Sequence, residues 1–221
     1  MKVIIFGASG MVGQGVLLEC LDHSEVSAIL AVGRSSCGID HPQLEELIHQ
    51  DFFDYSAIED KLSGYDACFF CLGVSAAGMS EEQYYRLTYE LTLHAAETLA
   101  RLNPGMTFCY VSGAGTDSTE SGRMMWARVK GKTENHLLQL PFKAAFMFRP
   151  GYIQPLKGIR SKTRLYQTFY TLGRPLYPAL KTLFPSLVTT TEKVGLAMIE
   201  VGLHGYARPL LENRDINALA G

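Results

Sequence analysis

Short apolar runs and helix-spaced apolar residues alternate along the first part of the chain. Lys2–Phe6 is a run rich in β-branched residues, which predicts a buried strand. Met11–Asp22 instead carries its apolar residues at helical spacing, and residues 26–32 form a second strand-like run. A strand, a helix and a strand in this order are typical of a βαβ unit and favour a parallel sheet.

The same alternation continues through most of the chain. Further strands are predicted at residues 44–51, 66–72, 106–111 and 144–148, and further helices at residues 55–62, 81–102 and 126–140. Capping-box patterns beginning at Ser80 and Thr189 predict two helix starts, and the tail from residue 210 is predicted to form a last strand and a turn. The chain is therefore predicted to be an α/β protein with a doubly wound parallel sheet that binds ligands where its strands end.

This alternation breaks down at residues 153–188. Four prolines interrupt the stretch, which is otherwise rich in aromatic residues and leucine. We interpret the chain as one domain over residues 1–221, with 153–188 as a small substrate lobe or lid beside the binding cleft. The alternative is an apolar surface for weak peripheral membrane contact or for a partner, formed by Tyr166, Phe169, Tyr170, Tyr177 and Phe184.

Charge and hydropathy argue against several classes of protein. The 221 residues include 20 basic and 22 acidic side chains, giving a net charge of −2 with no run of one sign. Nucleic-acid binding depends on a basic surface, so it is not predicted. The apolar runs are too short for a signal peptide or for a membrane span.

The cysteines indicate a reducing environment. Cys20, Cys37, Cys68, Cys71 and Cys109 are odd in number and lie mostly in apolar runs, which is typical of reduced thiols and favours a cytoplasmic location. Cys68 and Cys71 form a C-x-x-C pair, but residues three apart in a strand point to opposite faces, so no redox or metal role is predicted for them. The histidines show no metal-binding spacing, and no metal site is predicted.

Three regularly spaced glycines directly follow the first predicted strand. Gly7, Gly10 and Gly13 give the spacing G-x-x-G-x-x-G at a strand-to-helix turn. Gly7 permits a tight turn, Gly10 lets backbone N–H groups approach a diphosphate, and Gly13 lets the helix lie close to the strand. The free N–H groups of the helix N-terminus then suit phosphates. This pattern predicts a dinucleotide site, and the alternative is a turn that binds no ligand.

The end of the second predicted strand indicates which nicotinamide cofactor is preferred. An NAD-preferring site commonly has an acidic residue here, whereas this chain has Arg34 followed by Ser35. A guanidinium suits a 2′-phosphate, so NADP(H) is the predicted cofactor and NAD(H) the alternative. Arg34 could otherwise be an ordinary surface arginine. Asp51 and Phe52, at the end of the next strand, are candidates for contacts to the adenine.

Six short motifs occur at the ends of the predicted strands and on one helix. They are GASGMVGQG, GRS, CLG, YVSG, ARVKGKTE and FRPGYI. With these motifs, nearly the whole chain resembles the atypical branch of the short-chain dehydrogenase/reductase superfamily, which includes TIP30-like NAD(P)H-binding proteins and proteins like the NAD-dependent epimerase-dehydratases. The resemblance implies a Rossmann fold, an NADP(H) site and Lys130 bonding the nicotinamide ribose.

The predicted strand ends and the matching motifs together give the candidate cofactor contacts. These are Gly7, Ser9, Gly10, Met11, Val12, Arg34, Ser35, Asp51, Phe52, Cys71, Leu72, Gly73, Lys130, Pro150, Gly151 and Tyr152. By the same resemblance, the predicted helix over residues 81–102 is a candidate homodimer surface.

At the catalytic positions the chain departs from the superfamily. The family's active pattern has a serine at the end of the fifth strand and a tyrosine four residues before the lysine, which exchanges a proton as hydride moves. Trp126 stands at the position of that tyrosine, and an indole N–H is a donor only. Ser112 is followed by Gly113 where family members often have a second serine.

Three hypotheses about the function follow from this departure. In the first, the chain is an oxidoreductase acting on an unidentified small carbonyl or hydroxyl substrate. Its candidate catalytic residues are Ser112, Lys130 and Tyr152, with Tyr84 and Tyr85 as other proton donors. In the second, it binds the cofactor without turnover, as a redox sensor or partner-binding protein. In the third, Cys71 is the nucleophile of a semialdehyde dehydrogenase.

Overall fold

Nine strands form two sheets in the described part of the chain, which comprises residues 1–159 and 185–221 of a computed structural model. In chain order they are β1 (Lys2–Phe6), β2 (Ala28–Gly33), β3 (Leu44–Ile48), β4 (Ala67–Phe70), β5 (Thr107–Val111), β6 (Ala144–Arg149), β7 (Tyr152–Gln154), β8 (Val188–Thr190) and β9 (Leu210–Glu212). Seven strands make one parallel sheet in the order β3-β2-β1-β4-β5-β6-β9, and β7 pairs with β8. The strand order reverses between β1 and β4, which confirms the predicted doubly wound α/β fold.

Both faces of the large sheet are covered by helices. They are α1 (Met11–Asp22), α2 (Glu81–Tyr85), α3 (Leu91–Leu102), α4 (Met125–Leu137), α5 (Thr191–His204) and α6 (Asn213–Leu219), with 3₁₀ turns at Ser56–Leu62 and Pro185–Leu187. Helices α1 and α5 pack so closely that a Cβ on Gly15 would lie 2.5 Å from the Cβ of Thr191. Such close-packed interiors leave little room for added atoms.

The central strands are buried on both faces. In β1, Val3 and Ile5 belong to the core cluster that includes residues of α1 and α5, whereas Ile4 and Phe6 belong to the cluster on the opposite face. All four side chains are fully buried. Burial on two faces explains why these strands are continuous apolar runs in the sequence rather than alternating ones.

The helix predicted over residues 81–102 is present but interrupted. The Ser80 hydroxyl accepts a hydrogen bond from Gln83 N–H at 3.2 Å, and the Gln83 side chain accepts one from Ser80 N–H at 3.4 Å, which confirms this capping box. A π-helical turn, Arg86–Glu90, separates α2 from α3. Hydrophobic periodicity does not reveal such a single turn, because it shifts the spacing over too few residues.

Several local predictions differ from the structure. The strand predicted at residues 44–51 ends at Ile48, and the helix predicted at residues 55–62 is a 3₁₀ turn. The tail after β9 forms α6 rather than a turn, and Asp215 in its first turn accepts a hydrogen bond from Glu212 N–H at 3.0 Å. Thr189 lies in β8, and the next residue, Thr190, caps α5 by accepting from Lys193 N–H at 3.1 Å. Lys193, three residues after Thr190, has no side-chain acceptor for the Thr190 N–H, so the predicted capping box does not form. Helix α4 spans Met125–Leu137 rather than residues 126–140.

Most of the predicted lobe or lid over residues 153–188 lies outside the described residues. So do the aromatic residues of the alternative apolar surface, Tyr166, Phe169, Tyr170, Tyr177 and Phe184. The lobe and the single-domain organisation therefore stay predictions. Across the two described ranges, no helix is both long enough and apolar enough to cross a membrane.

Candidate functional site

One cleft runs along the edge of the large sheet where its strands end. It consists of two cavities of about 560 and 510 Å³, which share Arg34, Leu72, Gly73 and Val74. The larger cavity lies at the turn between β1 and α1, and the smaller one lies beyond the ends of β2 and β3. This is the point where the strand order reverses, at which doubly wound sheets bind their ligands.

Most residues predicted for the site line this cleft. Those lining the larger cavity are Gly7, Ser9, Gly10, Met11, Val12, Arg34, Cys71, Leu72, Gly73, Ser112, Lys130, Pro150 and Gly151. Asp51 and Phe52 line the smaller cavity together with Leu91 of α3, which the sequence analysis did not assign to the site. Ser35 is exposed and, like Tyr152, lines neither cavity.

The glycine turn forms one wall of the larger cavity from backbone atoms. Gly7 has φ +83°, and a Cβ there would lie 2.9 Å from Leu72 N, so this turn requires glycine. A Cβ on Gly13 would overlap the Gly7 carbonyl group, 2.6 Å from its carbon atom. No side chain caps α1 at Gly10, which leaves the first N–H groups of the helix available to an anion.

Lys130 reaches the larger cavity from α4. Its Nζ donates a hydrogen bond to the Ser112 carbonyl oxygen, just beyond β5. Burial lowers the pKa of Lys130 to about 8, although the Glu134 carboxylate acts to raise it. Lys130 therefore changes charge just above neutral pH at a position that lines the cavity.

Behind Lys130 lies a buried ion pair that the sequence analysis missed. Glu134 is 0% exposed, and its Oε1 accepts hydrogen bonds from Ser112 Oγ at 2.5 Å and from Arg149 Nε at 3.0 Å. Arg149 Nη2 also donates to Glu134 Oε2 and to Ser118 Oγ. The hydrogen bonds that Arg149 donates to Glu134 raise the pKa of Arg149. The Ser112 hydroxyl is engaged by the same carboxylate. The sequence signal for this ion pair was that Glu134 belongs to the motif ARVKGKTE and Arg149 to the motif FRPGYI.

None of the tyrosines considered as proton donors lines either cavity. Tyr84 is buried in the core, Tyr85 packs against a neighbouring tyrosine ring, and Tyr152 donates its hydroxyl hydrogen to Gln154 Oε1 at 3.1 Å. Trp126, at the position of the family's tyrosine, is half-buried and lines neither cavity. Of the predicted catalytic residues, the cleft therefore brings together Lys130 and Ser112 but not Tyr152.

The cysteine in the cleft is a poor nucleophile. Cys71 lines the larger cavity, but burial raises the pKa of its thiol to about 12. Cys68 belongs to one core cluster and Cys71 packs against the other, as expected for residues three apart in a strand. The geometry therefore gives no support to the thiol-based dehydrogenase hypothesis.

No protein-family model matches the sequence. The chain is similar to Protein HTATIP2 of Rattus norvegicus, with 27% identity over 155 residues that span 69% of this chain and 62% of that relative. It is also similar to Protein FMP52 of Meyerozyma guilliermondii, with 26% identity over 156 residues that span 69% of this chain and 65% of that relative. The similarity thus covers slightly less than two thirds of the length of these relatives.

Solved structures share the fold. The enzyme WbmF of Bordetella bronchiseptica, solved in complex with NAD+, has a TM-score of 0.67 at 15% identity, covering 98% of this chain and 76% of its own. An oxidoreductase of the short-chain dehydrogenase/reductase family from Burkholderia thailandensis also has a TM-score of 0.67 at 15% identity, covering 100% of this chain and 93% of its own. At such identities the likeness shows the fold alone.

The names of several relatives correct one prediction from the sequence. The FMP52 proteins of Meyerozyma guilliermondii, Scheffersomyces stipitis and Eremothecium gossypii are named as mitochondrial. These names contradict the cytoplasmic location that was predicted from the cysteines. Reduced thiols report a reducing environment, and they do not distinguish one reducing compartment from another.

The sequence relatives and the fold agree with the six motifs. The glycine motif forms the turn between β1 and α1, and the motif ARVKGKTE lies on α4 beside the cleft. These findings confirm the resemblance inferred from the sequence: the chain is similar to the TIP30-like proteins in the atypical branch of the short-chain dehydrogenase/reductase superfamily.

Proposed function

We propose that this chain binds NADP(H) in the cleft and is an oxidoreductase acting on a small carbonyl or hydroxyl compound. The observation that carries the proposal is Arg34, which follows β2 and lines both cavities where they meet. No hydrogen bond or ion pair of residues 1–159 and 185–221 engages its guanidinium, and no described carboxylate lines the larger cavity. Asp51 lines the smaller cavity, but no described ion pair joins it to Arg34, so the guanidinium suits the 2′-phosphate of NADP(H).

Other parts of the cleft suit the remaining groups of this cofactor. The uncapped N-terminus of α1 would hold the diphosphate, because its N–H groups and the helix dipole favour anions. Phe52 and Leu91 give the smaller cavity an apolar wall for the adenine. Lys130 Nζ would bond the ribose hydroxyls at the other end of the cleft. WbmF, which shares the fold, was solved with NAD+.

The bound cofactor would supply or accept hydride, and Lys130 is the residue we assign to the accompanying proton. Lys130 lines the larger cavity, and its Nζ donates a hydrogen bond to the Ser112 carbonyl oxygen. The Ser112 hydroxyl is engaged by Glu134, so it is not a free donor to a substrate. A lysine with a pKa of about 8 holds this proton at neutral pH and releases it at moderately higher pH.

Arg34→Ala tests the cofactor proposal. We expect it to weaken NADPH binding about 10- to 100-fold and NADH binding by no more than about twofold, because hydrogen bonds to charged groups are worth about 1.5–3 kcal/mol. Titration of the protein with each reduced cofactor, followed by nicotinamide fluorescence, measures both. Arg214→Ala, at an arginine 70% exposed in α6, is the control for lost positive charge. An equal loss for both cofactors would show that Arg34 does not distinguish them.

A pH titration of binding tests the role of Lys130. Its ammonium is present below a pKa of about 8 and is lost above it, so we expect the affinity for NADH to fall as the pH rises through about 8. NADH is the probe because it lacks the 2′-phosphate, whose own ionisation would complicate the profile. Lys130→Met should flatten the profile. Lys132→Met, on the same helix, should retain it, and a flat profile in the unsubstituted protein would contradict the assignment.

A second candidate function is cofactor binding without turnover, as in a redox sensor. Trp126 at the tyrosine position and the engaged Ser112 hydroxyl favour it. A panel of small aldehydes, ketones and quinones added to the NADPH-loaded protein distinguishes the two functions. Oxidation of bound NADPH, followed by loss of absorbance, supports the oxidoreductase. Tight binding with no oxidation by any compound supports the sensor.

A further inference from the structure

The loop after β2 is held by two side chains from β3 and the residues that follow it. Glu46 Oε2 accepts a hydrogen bond from Ser36 Oγ at 2.7 Å, and Glu46 Oε1 accepts one from Cys37 N–H at 2.5 Å. Gln50 Nε2 donates to the Arg34 carbonyl oxygen at 2.9 Å. Both ends of the segment 34–37 are therefore attached to the neighbouring strand region by side chains.

Glu46 is placed for this contact by the register of the sheet. It lies opposite Ala31, three residues before Arg34, and its side chain is half-buried. Although burial acts to raise the pKa of Glu46, hydrogen bonds from Cys37 and Ser36 lower it below the ordinary value. The carboxylate is therefore ionised at neutral pH, and its two oxygens are occupied by the loop.

These contacts hold the loop without engaging the Arg34 side chain. Arg34, Ser35 and Ser36 are all exposed, and the Ser36 hydroxyl donates to Glu46. Fixing a short loop in advance removes part of the conformational entropy that a ligand would otherwise have to offset. The loop is therefore ordered without using the guanidinium that lines the cleft.

We propose that Glu46 and Gln50 are specificity-determining positioning residues, which hold the segment 34–37 so that Arg34 receives a phosphate monoester on the ribose of an adenine nucleotide. This inference rests on the proposed NADP(H) site and names the residues that make it selective. Neither residue supplies the positive charge. They act through the backbone of the loop that carries Arg34.

Simple electrostatics makes the opposite prediction for Glu46. A carboxylate near a phosphate repels it, so removal of this charge alone would strengthen phosphate binding. Loss of the loop attachment would weaken phosphate binding, because Arg34 would no longer be held in place. The sign of the effect therefore separates a positioning role from a mere nearby charge.

The experiment compares two nucleotide probes that differ by the phosphate in question. Adenosine 2′,5′-bisphosphate and AMP are titrated by calorimetry into the unsubstituted protein and its Glu46→Gln and Gln50→Ala variants. We expect Glu46→Gln to weaken the bisphosphate about tenfold relative to AMP, and Gln50→Ala about threefold, as for lost hydrogen bonds of unequal strength. Glu45→Gln, which removes the same charge from the exposed neighbour in β3, should leave the ratio within about twofold.

Each outcome decides one point. If the unsubstituted protein binds both probes equally, or Arg34→Ala leaves their ratio unchanged, the proposed function fails and this inference falls with it. If Arg34→Ala reduces the ratio but Glu46→Gln leaves it unchanged or raises it, the inference alone is overturned. If Glu46→Gln loses AMP binding and unfolds at a lower urea concentration, the Gln50→Ala variant decides, because it changes no charge. An unchanged ratio of bisphosphate to AMP affinity in Gln50→Ala overturns the positioning role.

Discussion

Glu134→Gln is expected to lower the free energy of unfolding by about 3–5 kcal/mol, which is typical when one partner of a buried ion pair is removed. Glu134 is 0% exposed and accepts hydrogen bonds from both Ser112 and Arg149. The substituted amide keeps the shape but removes the buried carboxylate, and the Arg149 guanidinium retains only the longer ion pair to Glu212 at 3.4 Å, whose side chain is 50% exposed. Urea unfolding followed by circular dichroism measures the difference.

A more exposed ion pair, between Arg128 of α4 and Glu81 of α2, provides the control for Glu134→Gln. Arg128 Nη2 donates to both carboxylate oxygens of Glu81 at 2.8 Å, and the Glu81 side chain is 55% exposed. Glu81→Gln should cost less than about 1 kcal/mol, because water screens exposed pairs. Equal losses in the two variants would show that burial adds nothing to the Glu134 pair. Glu134→Gln should also move the pKa of Lys130 further below about 8, since the carboxylate that raises it is gone.

Gly131→Ala is expected to disrupt the wall of the cleft formed by α4. A Cβ at this position would overlap the Asp117 carbonyl oxygen and would lie 2.5 Å from the Asp117 carbon. Alanine gains about 1 kcal/mol of helix propensity over glycine. Overpacking against a backbone costs about 3 kcal/mol or more when the neighbour cannot move aside. The clash therefore outweighs the propensity, and the net loss is about 2 kcal/mol or more.

The readouts for Gly131→Ala are urea unfolding and NADPH titration. Because Gly131 adjoins Lys130, separation of α4 from the loop that contains Asp117 should also displace Lys130 from the Ser112 carbonyl oxygen and weaken cofactor binding. Gly105→Ala is the control, since a Cβ there meets no atom within 4 Å. A stable Gly131→Ala variant with unchanged affinity would show that the loop accommodates the added methyl group.

The sequence predicted features that depend on neighbouring residues. The turn at Gly7, the strand ends at Arg34 and Gly73, and the Ser80 cap each follow from a short local pattern, and the structure places the first three along one cleft. Parallel strands align their carboxyl ends, so residues far apart in the sequence meet at one edge. The role of each residue in cofactor binding stays a prediction until it is measured.

Features that depend on distant residues could not be predicted in this way. Glu134 lies on α4 and Arg149 on β6, and their side chains meet only after folding. The local pattern of either segment does not identify the residue with which it pairs. The position of Tyr152 after the sixth strand predicts a proton donor, but in β7 its hydroxyl donates to Gln154 and the residue lines neither cavity. The predicted homodimer surface and peripheral membrane contact stay predictions.

The joining of the two cavities at Arg34, Leu72, Gly73 and Val74 has a consequence for any ligand that spans them. Once one half of such a ligand occupies its cavity, the other half is presented to the second cavity at a high effective concentration. Two fragments that each bind weakly would then give a much higher affinity when they are covalently linked. We therefore expect the cleft to discriminate by ligand length, because a mononucleotide would occupy one cavity and would lack this intramolecular advantage.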